Sequence, residues 1–263
     1  MFLAVYAMII VALAFLETRL VYPGAYLKTV PLDKRMSTVP IEYTTSDGNK
    51  IEGRLLKRKG CSNYLLFMHG NLSKAQRLDD LAKRLSMVFD ATVLLAEYRG
   101  YEDDITPTQI GLVHDCEAAR DYLCENFGIQ QSEIILYGRS LGGGCAVTLA
   151  ANGGAKALIL ERTYDELLGI ASRQYPWVPV RLIMRNRFNP VKKIKDYQGP
   201  IVIIHGTADE LIPIECSQRL FEAANSEQKK LIKVKGLGHN GVLPSECLQE
   251  IVDTVDLFSS HPQ

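Results

Sequence analysis

The chain has 263 residues, a formal net charge of zero and 47% hydrophobic residues. A chain of this size and composition can bury a large core as one α/β domain, and its neutral charge gives no reason to expect a nucleic-acid partner. Its six cysteines form no C-x-x-C pair and no Cys/His cluster with metal-ligand spacing, so no metal is expected. Most of them are predicted to be small buried apolar residues.

The first 22 residues form a hydrophobic segment. Residues 1–16 are uninterrupted apolar sequence, and Leu20, Val21 and Tyr22 continue it past Glu17 and Arg19. Sixteen helical residues cover about 24 Å, which is short of a hydrocarbon core of about 30 Å unless the continuation joins the span. The segment is therefore interpreted as a minimal membrane anchor.

A cleaved signal peptide is the alternative interpretation, because residues 12–14 (Ala-Leu-Ala) resemble a small-x-small cleavage site, although no basic residue precedes the apolar run. The nearest basic residues all follow the segment: Arg19, Lys28, Lys34 and Arg35. By the positive-inside bias, an anchor with this charge pattern keeps the globular part in the cytoplasm, whereas a signal peptide would export it.

From Val39 the chain alternates short apolar strands with helices. The pattern predicts an antiparallel hairpin over 39–45 and 50–56, followed by buried strands at 64–68, 92–96, 134–137, 157–160, 200–204 and 231–234. Helices are predicted over 74–89, 214–224 and 245–258. Another is predicted to end at Phe127, with Thr106 as its N-cap and Pro107 in its first turn. A further helix is predicted to follow the glycines at 142–144 and to run through Ala151. This order predicts one α/β domain over 30–263, with a mostly parallel sheet covered by helices on both faces.

A Gly-x-Ser-x-Gly turn joins the strand at 134–137 to the following helix, with Ser140 between Gly138 and Gly142. A serine on this strained strand-to-helix turn needs small flanking residues, and its hydroxyl is left exposed. The N–H of Leu141, at the start of the helix, is the expected first donor to an oxyanion. An ordinary glycine-rich turn would carry the same pentapeptide, so the rest of the chain has to decide between the two interpretations.

A serine nucleophile needs a base, and the base needs an acid that orients it. His239 follows the last predicted strand in a glycine-containing loop, and Asp209 follows the preceding strand. The chain order Ser140, Asp209, His239 is the one found in α/β-hydrolases, and all three fall at strand ends. Glu161 also ends a strand and is the alternative acid for His239.

The other histidines have different interpretations. His69 and His205 each precede a glycine directly after a strand, where an imidazole typically holds loop backbone; His114 is predicted to be helical, and His261 lies in the tail. The loop after the first parallel strand is expected to give the second oxyanion donor, the N–H of Asn71. The Asn71 side chain could instead shape the turn.

An insertion of about residues 163–199 is too long for a simple crossover, and we expect it to form a small cap over the carboxyl end of the sheet. It is rich in apolar residues, among them Tyr164 and Trp177. Between Ile170 and Tyr197 it has one acidic residue, Asp196, and seven basic ones: Arg173, Arg181, Arg185, Arg187, Lys192, Lys193 and Lys195. Such a cap fits an anionic lipid surface, and a solvated basic face over pocket-lining residues is the alternative.

These motifs resemble the α/β-hydrolase superfamily and, more narrowly, its Bem46-like branch of membrane-tethered serine hydrolases with ABHD-type domains. The resemblance covers about residues 41–258 and rests on the motifs at 69–71, 98–101, 138–143, 161–164, 205–209 and 238–240. It implies hydrolysis of an ester, thioester or amide bond without a cofactor. It also implies Ser140, Asp209 and His239 as the triad, with Asn71 and Leu141 as the oxyanion donors.

Two stretches depart from the family pattern. Leu72-Ser73 stands where alanine and glycine are usual, and residues 102–104 (Glu-Asp-Asp) replace a glycine and a small residue. We therefore expect Leu72, together with Tyr164 and Trp177, to shape the substrate pocket. The sequence predicts hydrolysis of small-molecule acyl esters or thioesters, including lipid-like ones. The alternatives are peptidase-type amide hydrolysis and a catalytically silent membrane-bound binding protein.

Overall fold

The computed structural model describes residues 1–27 and 35–260. Lys28, Lys34 and His261, which entered the sequence predictions, lie outside the described residues. The described chain is built on one eight-stranded sheet with the strand order β1-β2-β4-β3-β5-β6-β7-β8. Its strands are β1 (Val39–Thr44), β2 (Lys50–Leu56), β3 (Asn63–Met68), β4 (Ala91–Ala96), β5 (Ile134–Arg139), β6 (Ala157–Glu161), β7 (Ile201–Gly206) and β8 (Lys229–Val234).

Nine α-helices occur in the described residues. They are α1 (Phe2–Val21), α2 (Asp79–Val88), α3 (Gln109–Phe127), α4 (Gly142–Gly153), α5 (Leu167–Gln174), α6 (Val180–Ile183), α7 (Pro190–Lys193), α8 (Ile214–Ala223) and α9 (Ser245–Ser260). Short 3-10 turns are found at Pro23–Tyr26, Ala75–Arg77, Gln131–Glu133 and Ile194–Asp196.

The sheet is mostly parallel and begins with an antiparallel hairpin, as predicted. β1 and β2 form an antiparallel hairpin, β2 is antiparallel to β4, and the other pairs are parallel. β3 lies between β4 and β5, so the chain leaves β3 in one direction and returns on its other side. Ligand sites in such sheets lie beyond the carboxyl ends of the strands at this kind of switch point. Met68 pairs with Gly138, so the loop after β3 lies beside the turn that carries Ser140.

The parallel strands are apolar throughout because both sheet faces are covered. Side chains alternate between faces along a strand: in β3, Leu66 and Met68 join one core layer, and Leu65 and Phe67 join the other. The first layer is packed under α3, α4 and α8, and the second under α2 and α9. These packed layers hold the loops of the candidate site on a rigid base.

Two predicted helix starts are wrong. The helix predicted from residue 74 begins at Asp79, because residues 75–77 form a 3-10 turn that ends at Leu78. The helix predicted to start after Thr106 begins at Gln109, with Thr108 as the N-cap. The Thr108 side chain accepts a hydrogen bond from the N–H of Gly111 at 3.0 Å. Both threonines are suitable caps, and the structure uses the second one.

The insertion at 163–199, called the cap insertion below, has two parts. Its first part, α5 and α6, packs with α1 around an apolar cluster of Leu168, Val178, Val180 and Met184. Its second part, which includes Phe188, Ile194 and Tyr197, belongs to the main core layer. The insertion is therefore partly packed with α1 and partly a piece of the main core, and its position over the carboxyl end of the sheet stays a prediction.

The N-terminal apolar segment is the helix α1. It has 20 residues, an 18-residue window in it has a mean hydropathy of 1.9, and it is the one helix in the described residues that is long and apolar enough to cross a membrane. Most of its surface is exposed in the folded chain.

Candidate active site

Ser140 lies on a strained turn at the end of β5. Its φ is +52°, a left-handed conformation that a residue with a Cβ adopts at a cost, and its N–H donates to the carbonyl of Glu161 at 2.9 Å. The flanking glycines are required by space. A Cβ at Gly142 would lie 2.1 Å from the carbonyl oxygen of Met68, and one at Gly138 would lie 2.6 Å from the Cα of Gly143.

The three residues predicted as the triad come together. Ser140 Oγ is 3.1 Å from His239 Nε2, and His239 Nδ1 is 2.8 Å from Asp209 Oδ2. The serine and the histidine are mostly buried, and the Asp209 side chain is completely buried. Both distances are within hydrogen-bond range, so a proton can pass along the line from hydroxyl to imidazole.

Asp209 is held ionised by several donors. Its Oδ1 accepts from the backbone N–H groups of Leu211 and Ile212, at 3.0 and 2.8 Å, and His205 Nε2 is 3.3 Å from Oδ2. Burial alone would raise the pKa of this carboxyl, but the hydrogen bonds from His205, His239 and Ile212 hold the pKa well below its usual value. Asp209 is therefore a carboxylate at neutral pH, which is the form that can stabilise an imidazolium.

Arg162 holds the loop that carries His239, a role that the sequence did not reveal. Its side chain is fully buried, and Nη1 donates to the carbonyls of Gly238 at 2.9 Å and Gly241 at 2.7 Å. These two carbonyls lie on either side of His239 in the chain. The arginine itself pairs with Glu161 through Nη2.

Glu161 is not the acid that orients His239. Its carboxylate is occupied by Arg162 and by the Tyr137 hydroxyl, which donates to Oε2 at 2.8 Å, and Arg139 lies 3.5 Å from Oε1. His239 Nδ1 is instead bound to Asp209. Glu161 pairs with Arg162 and so helps to hold the His239 loop.

The loop after β3 lies against the serine. A Cβ at Gly70 would sit 3.4 Å from Ser140 Cβ and 3.9 Å from its Oγ. The Gly70 carbonyl accepts from Ser73 N–H at 3.1 Å and lies 2.8 Å from His69 Nδ1. In a trans peptide the N–H points opposite to the carbonyl, so these contacts orient the N–H of Asn71.

The N–H groups of Asn71 and Leu141 have no hydrogen-bond acceptor within the described chain. Asn71 follows Gly70, which lies against the serine hydroxyl, and Leu141 follows Ser140 itself. Unpaired amides at such a position are what an oxyanion hole requires. The geometry is therefore compatible with the predicted role of both residues.

The carbonyl of Asn71 is bound from the N-terminal segment, which the sequence did not suggest. It accepts from Gly24 N–H at 2.9 Å and from the Tyr101 hydroxyl at 3.0 Å. The Asn71 side chain points the same way, since its Nδ2 donates to the carbonyl of Val21 at 3.4 Å. A Cβ at Gly24 would lie 2.4 Å from Asn71 O, so only glycine fits there.

The two other buried histidines hold loop backbone, as expected from their positions after strands. His69 joins Gly70 O to Glu97, with Nε2 2.8 Å from Glu97 Oε1. His205 Nε2 lies 2.8 Å from the carbonyl of Ile212 and Nδ1 lies 2.7 Å from Ser217 Oγ. In addition, His205 reaches Asp209, a contact that its sequence position did not indicate.

The three residues predicted for the substrate pocket have different positions. Tyr164 is fully buried and its hydroxyl donates to the carbonyl of Leu141 at 3.3 Å, and its role in the pocket stays a prediction. Leu72 is 55% exposed beside Asn71 and is free to touch a substrate. Trp177 lies along α1, where its carbonyl accepts from the Tyr6 hydroxyl, and its role in the pocket stays a prediction.

In the described part of the chain no three His, Cys, Asp or Glu side chains are grouped to hold a metal ion. The elbow serine, the aspartate after β7 and the histidine after β8 on a mostly parallel sheet define the class of α/β-hydrolases.

The relatives of the chain agree with that class. Alpha/beta hydrolase domain-containing protein 17B of Homo sapiens is 31% identical over 200 residues, which cover 75% of this chain and 68% of that protein. Protein bem46 of Schizosaccharomyces pombe is 28% identical over 255 residues, which cover 89% of this chain and 84% of that protein. The chain therefore belongs to the α/β-hydrolase family, in its Bem46-like branch, although no family model matches it.

Solved structures share the fold. An esterase of Pyrococcus furiosus superposes with a TM-score of 0.73 at 16% identity, covering 89% of this chain and 96% of the esterase. A puromycin-hydrolyzing peptidase of Mycobacterium tuberculosis superposes with a TM-score of 0.68 at 15% identity, covering 89% of this chain and 41% of the peptidase. The chain is a hydrolase by family, and its bond specificity has to be argued from its own residues.

Proposed function

We propose that the chain is a serine hydrolase that cleaves carboxylic esters or thioesters through an acyl-enzyme on Ser140. The observation that carries this proposal is the unbroken contact from Ser140 Oγ through the His239 imidazole to the Asp209 carboxylate, at 3.1 and 2.8 Å. Supporting it, the amides of Asn71 and Leu141 are unpaired beside the serine.

In the acylation step, His239 Nε2 takes the Ser140 proton as the oxygen attacks the substrate carbonyl carbon. The carbonyl oxygen becomes an oxyanion, and the N–H groups of Asn71 and Leu141 stabilise it. The tetrahedral intermediate collapses when the C–O or C–S bond breaks, and His239 gives its proton to the departing alcohol or thiol. The ionised Asp209 stabilises the imidazolium in between.

In the deacylation step, water replaces the leaving group. His239 removes a proton from water as the oxygen attacks the acyl carbon, and the same two amides stabilise the second oxyanion. Collapse releases the carboxylic acid and returns the proton to Ser140 Oγ. No metal or organic cofactor is needed for either step.

Exposed apolar side chains near the site favour an acyl group as the substrate part that is held. Leu72 follows Asn71, Leu211 is two residues after Asp209, and Val242 is three residues after His239. Each of the three is exposed, with Val242 at 80%. Apolar residues on all three site loops can cover a hydrocarbon chain but offer no charge to a peptide terminus.

We also propose that α1 associates the enzyme with a membrane and that the globular part is cytoplasmic. The support is the length and hydropathy of α1 and the exposure of most of its surface. Arg19, in the last turn of α1, and Arg35, after it, add positive charge beside the helix, which favours the anionic cytoplasmic leaflet. Contacts of Ile10 and Leu13 with the cap insertion favour a retained helix over a cleaved signal peptide, which would place the domain outside the cell.

Peptidase-type amide hydrolysis is the second candidate, because a peptidase shares the fold. Amides and esters use the same triad, so the two candidates differ in the leaving group alone. A matched pair of substrates separates them: a p-nitrophenyl acyl ester and an aminoacyl p-nitroanilide.

The test measures turnover of p-nitrophenyl acetate and a p-nitrophenyl ester of a long-chain acid by the full chain in detergent, beside Ser140→Ala and His239→Ala. We expect ester turnover that is lost in both variants and that is faster for the longer acyl chain. Turnover of the anilide alone would contradict ester specificity. A folded wild type that turns over none of the three substrates would favour a silent binding protein.

A further inference from the structure

One side of the helix α1 is docked on the cap insertion, while most of its surface is exposed. Ile10, Leu13 and Val21 lie on one stripe of the helix and pack against the apolar cluster around Leu168 and Met184. The contact extends toward the N-terminus, because the Tyr6 hydroxyl donates to the carbonyl of residue 177 at 2.8 Å. From residue 6 to residue 21 the docked stripe covers about 22 Å of the helix.

A carboxylate near the end of this stripe is satisfied by the cap insertion. Glu17 is 8% exposed, and its Oε1 accepts from Arg185 N–H at 2.7 Å and from Asn186 N–H at 2.8 Å. The side-chain amide of Asn186 donates to the same oxygen at 3.1 Å. A buried carboxylate is tolerated only with such partners. Glu17 therefore ties α1 to the insertion specifically.

The segment after α1 is fixed to the same residue and to the oxyanion loop. Tyr22 is completely buried, and its hydroxyl donates to Asn186 Oδ1 at 2.9 Å. Two residues later, Gly24 N–H donates to the carbonyl of Asn71. Movement of α1 away from the cap insertion would therefore disturb the candidate site.

Crossing a bilayer conflicts with this docking. If α1 crossed while docked, the exposed side chains of Arg173, Arg181 and Arg185 would enter the hydrocarbon with the insertion, which is costly for charged groups. If α1 crossed alone, Glu17 would lose its three donors while remaining inside the span.

The opposite face of α1 is free and apolar. Its exposed residues include Val5, Met8 and Phe15, and the insertion adds Leu182, which is also exposed. The basic residue Arg181 is next to Leu182 in the chain. An apolar face bordered by basic groups fits the boundary between headgroups and acyl chains, where arginine side chains reach the anionic surface.

We propose that α1 and the cap insertion enter one leaflet of an anionic bilayer together, with α1 docked in the membrane plane and the N-terminus on the same side as the catalytic domain. The proposal rests on the membrane association proposed above and adds its geometry. The hydrolase then draws its substrate from the leaflet in which its own cap insertion is embedded.

The first test places a photo-crosslinking amino acid at Leu13, on the docked stripe, or at the control position Phe15, on the free face. The full chain is reconstituted in vesicles of phosphatidylcholine and phosphatidylserine. We expect the probe at 13 to link to residues 171–184 of the same chain and the probe at 15 to link to lipid. Links from both positions to lipid would overturn the docked arrangement, and a link from 15 to a second chain would assign the face to a dimer.

The second test reports sidedness in sealed vesicles through protease digestion of an N-terminal tag. We expect the tag to be digested together with the catalytic domain in the wild type and in Glu17→Gln, which keeps an acceptor oxygen. In Glu17→Leu the tag should become protected. The helix then loses the hydrogen bonds to Arg185 and Asn186, and its apolar segment becomes long enough to cross the bilayer. A protected tag in the wild type, or a digested one in Glu17→Leu, would contradict the proposal.

Both readouts are independent of catalysis. Ester turnover is measured on the same preparations, so a failed membrane geometry with retained turnover leaves the proposed serine hydrolase intact. If the expected crosslinks form but turnover is absent, the proposed function is contradicted and the membrane geometry is supported.

Discussion

The carboxyl edge of the sheet and the segment from Glu17 to Gly24, called the N-terminal wall below, support the site in different ways. At the sheet edge, Ser140, Asp209 and His239 each follow a strand, and neighbouring strands bring them together. At the wall, Glu17 and Gly24 meet their partners across gaps of 168 residues to Arg185 and of 47 residues to Asn71. The candidate catalytic residues thus come from short motifs at strand ends, whereas the support of the Asn71 loop comes from contacts between residues far apart in the chain.

The difference separates two kinds of vulnerability. A change at the edge should remove activity and leave the fold, because rigid strands continue to hold the loops. A change at the wall should alter geometry and activity together, because the wall supports the loop that carries Asn71. The following variants test that separation.

The largest effect is expected at Asp209. Asp209→Asn keeps the acceptor for Leu211 and Ile212 but removes the charge that stabilises the imidazolium, so kcat should fall about 10³- to 10⁴-fold. The assay is ester turnover. Asp165→Asn, at another carboxylate whose hydrogen bonds lower its pKa despite burial, should keep its activity. Comparable losses in both variants would mean that charge at Asp209 has no special role.

The same variant has a pH signature in stability. The pKa of Asp209 is below its unfolded value of about 3.9, so the ionised form contributes stability above that pH and loses it as the pH falls through the folded pKa. Thermal unfolding should show a lower Tm for Asp209→Asn at pH 7, and the gap should shrink below a pH of about 4. A gap that stays constant down to pH 3 would rule out this linkage.

Arg162 belongs to the sheet edge, since it follows β6 and holds the His239 loop. Arg162→Lys is shorter and offers one nitrogen for the Gly238 and Gly241 carbonyls and for Glu161, which Nη1 and Nη2 serve separately. We expect kcat to fall about 10- to 100-fold with KM little changed, since His239 is misplaced. Steady-state kinetics measure the split. Arg120→Lys is the control, a buried arginine that donates to Leu149 O away from the site, and equal kinetic loss there would contradict the role of Arg162.

Gly24→Ala tests the wall directly. The new Cβ would lie 2.4 Å from Asn71 O and 2.7 Å from the Tyr101 ring, so the oxyanion loop has to move, at a cost of about 1–3 kcal/mol in unfolding free energy. Ester turnover should fall with it. Gly169→Ala, at an exposed position in α5 where the nearest atom is 4.0 Å away, should be neutral or slightly stabilising. Unchanged turnover in Gly24→Ala would separate the wall from the site.

The smallest effect is expected at a helix cap far from both regions. Thr108→Ala removes the acceptor for Gly111 N–H and should cost about 1 kcal/mol in urea unfolding, while Thr106→Ala should cost less than half of that. Turnover should be unchanged in both. A larger loss of stability in Thr106→Ala would mean that Thr106 is the N-cap, as the sequence predicts.

These cases also show what a sequence can predict. All eight strands follow from the sequence pattern, and so does the meeting of Ser140, Asp209 and His239, because strand ends in a parallel sheet meet at one edge. The start of α3 was placed at the wrong threonine, since Thr106 and Thr108 have equal capping chemistry and only tertiary packing separates them. The aromatic character of Tyr164 predicts a pocket residue, but it does not reveal the hydrogen bond to Leu141 that holds this side chain in the core.

The wall was beyond sequence reasoning for a related reason. In the sequence Glu17 only ends an apolar run, and its partners Arg185 and Asn186 lie in a basic stretch whose two interpretations, a lipid-facing or a solvated surface, include no contact with α1. No periodicity links a helix to an insertion more than 160 residues later. A lone carboxylate in an apolar segment was the one available signal, because such a group needs a partner.

The most direct test of the central claim is the mass of the intact full chain after reaction with a fluorophosphonate, followed by peptide mapping. We expect one adduct, on Ser140, with labelling abolished in Ser140→Ala and strongly slowed in His239→Ala, because the serine then lacks its base. An adduct on another residue, or equal labelling of the Ser140→Ala variant, would contradict the assignment of Ser140 as the nucleophile.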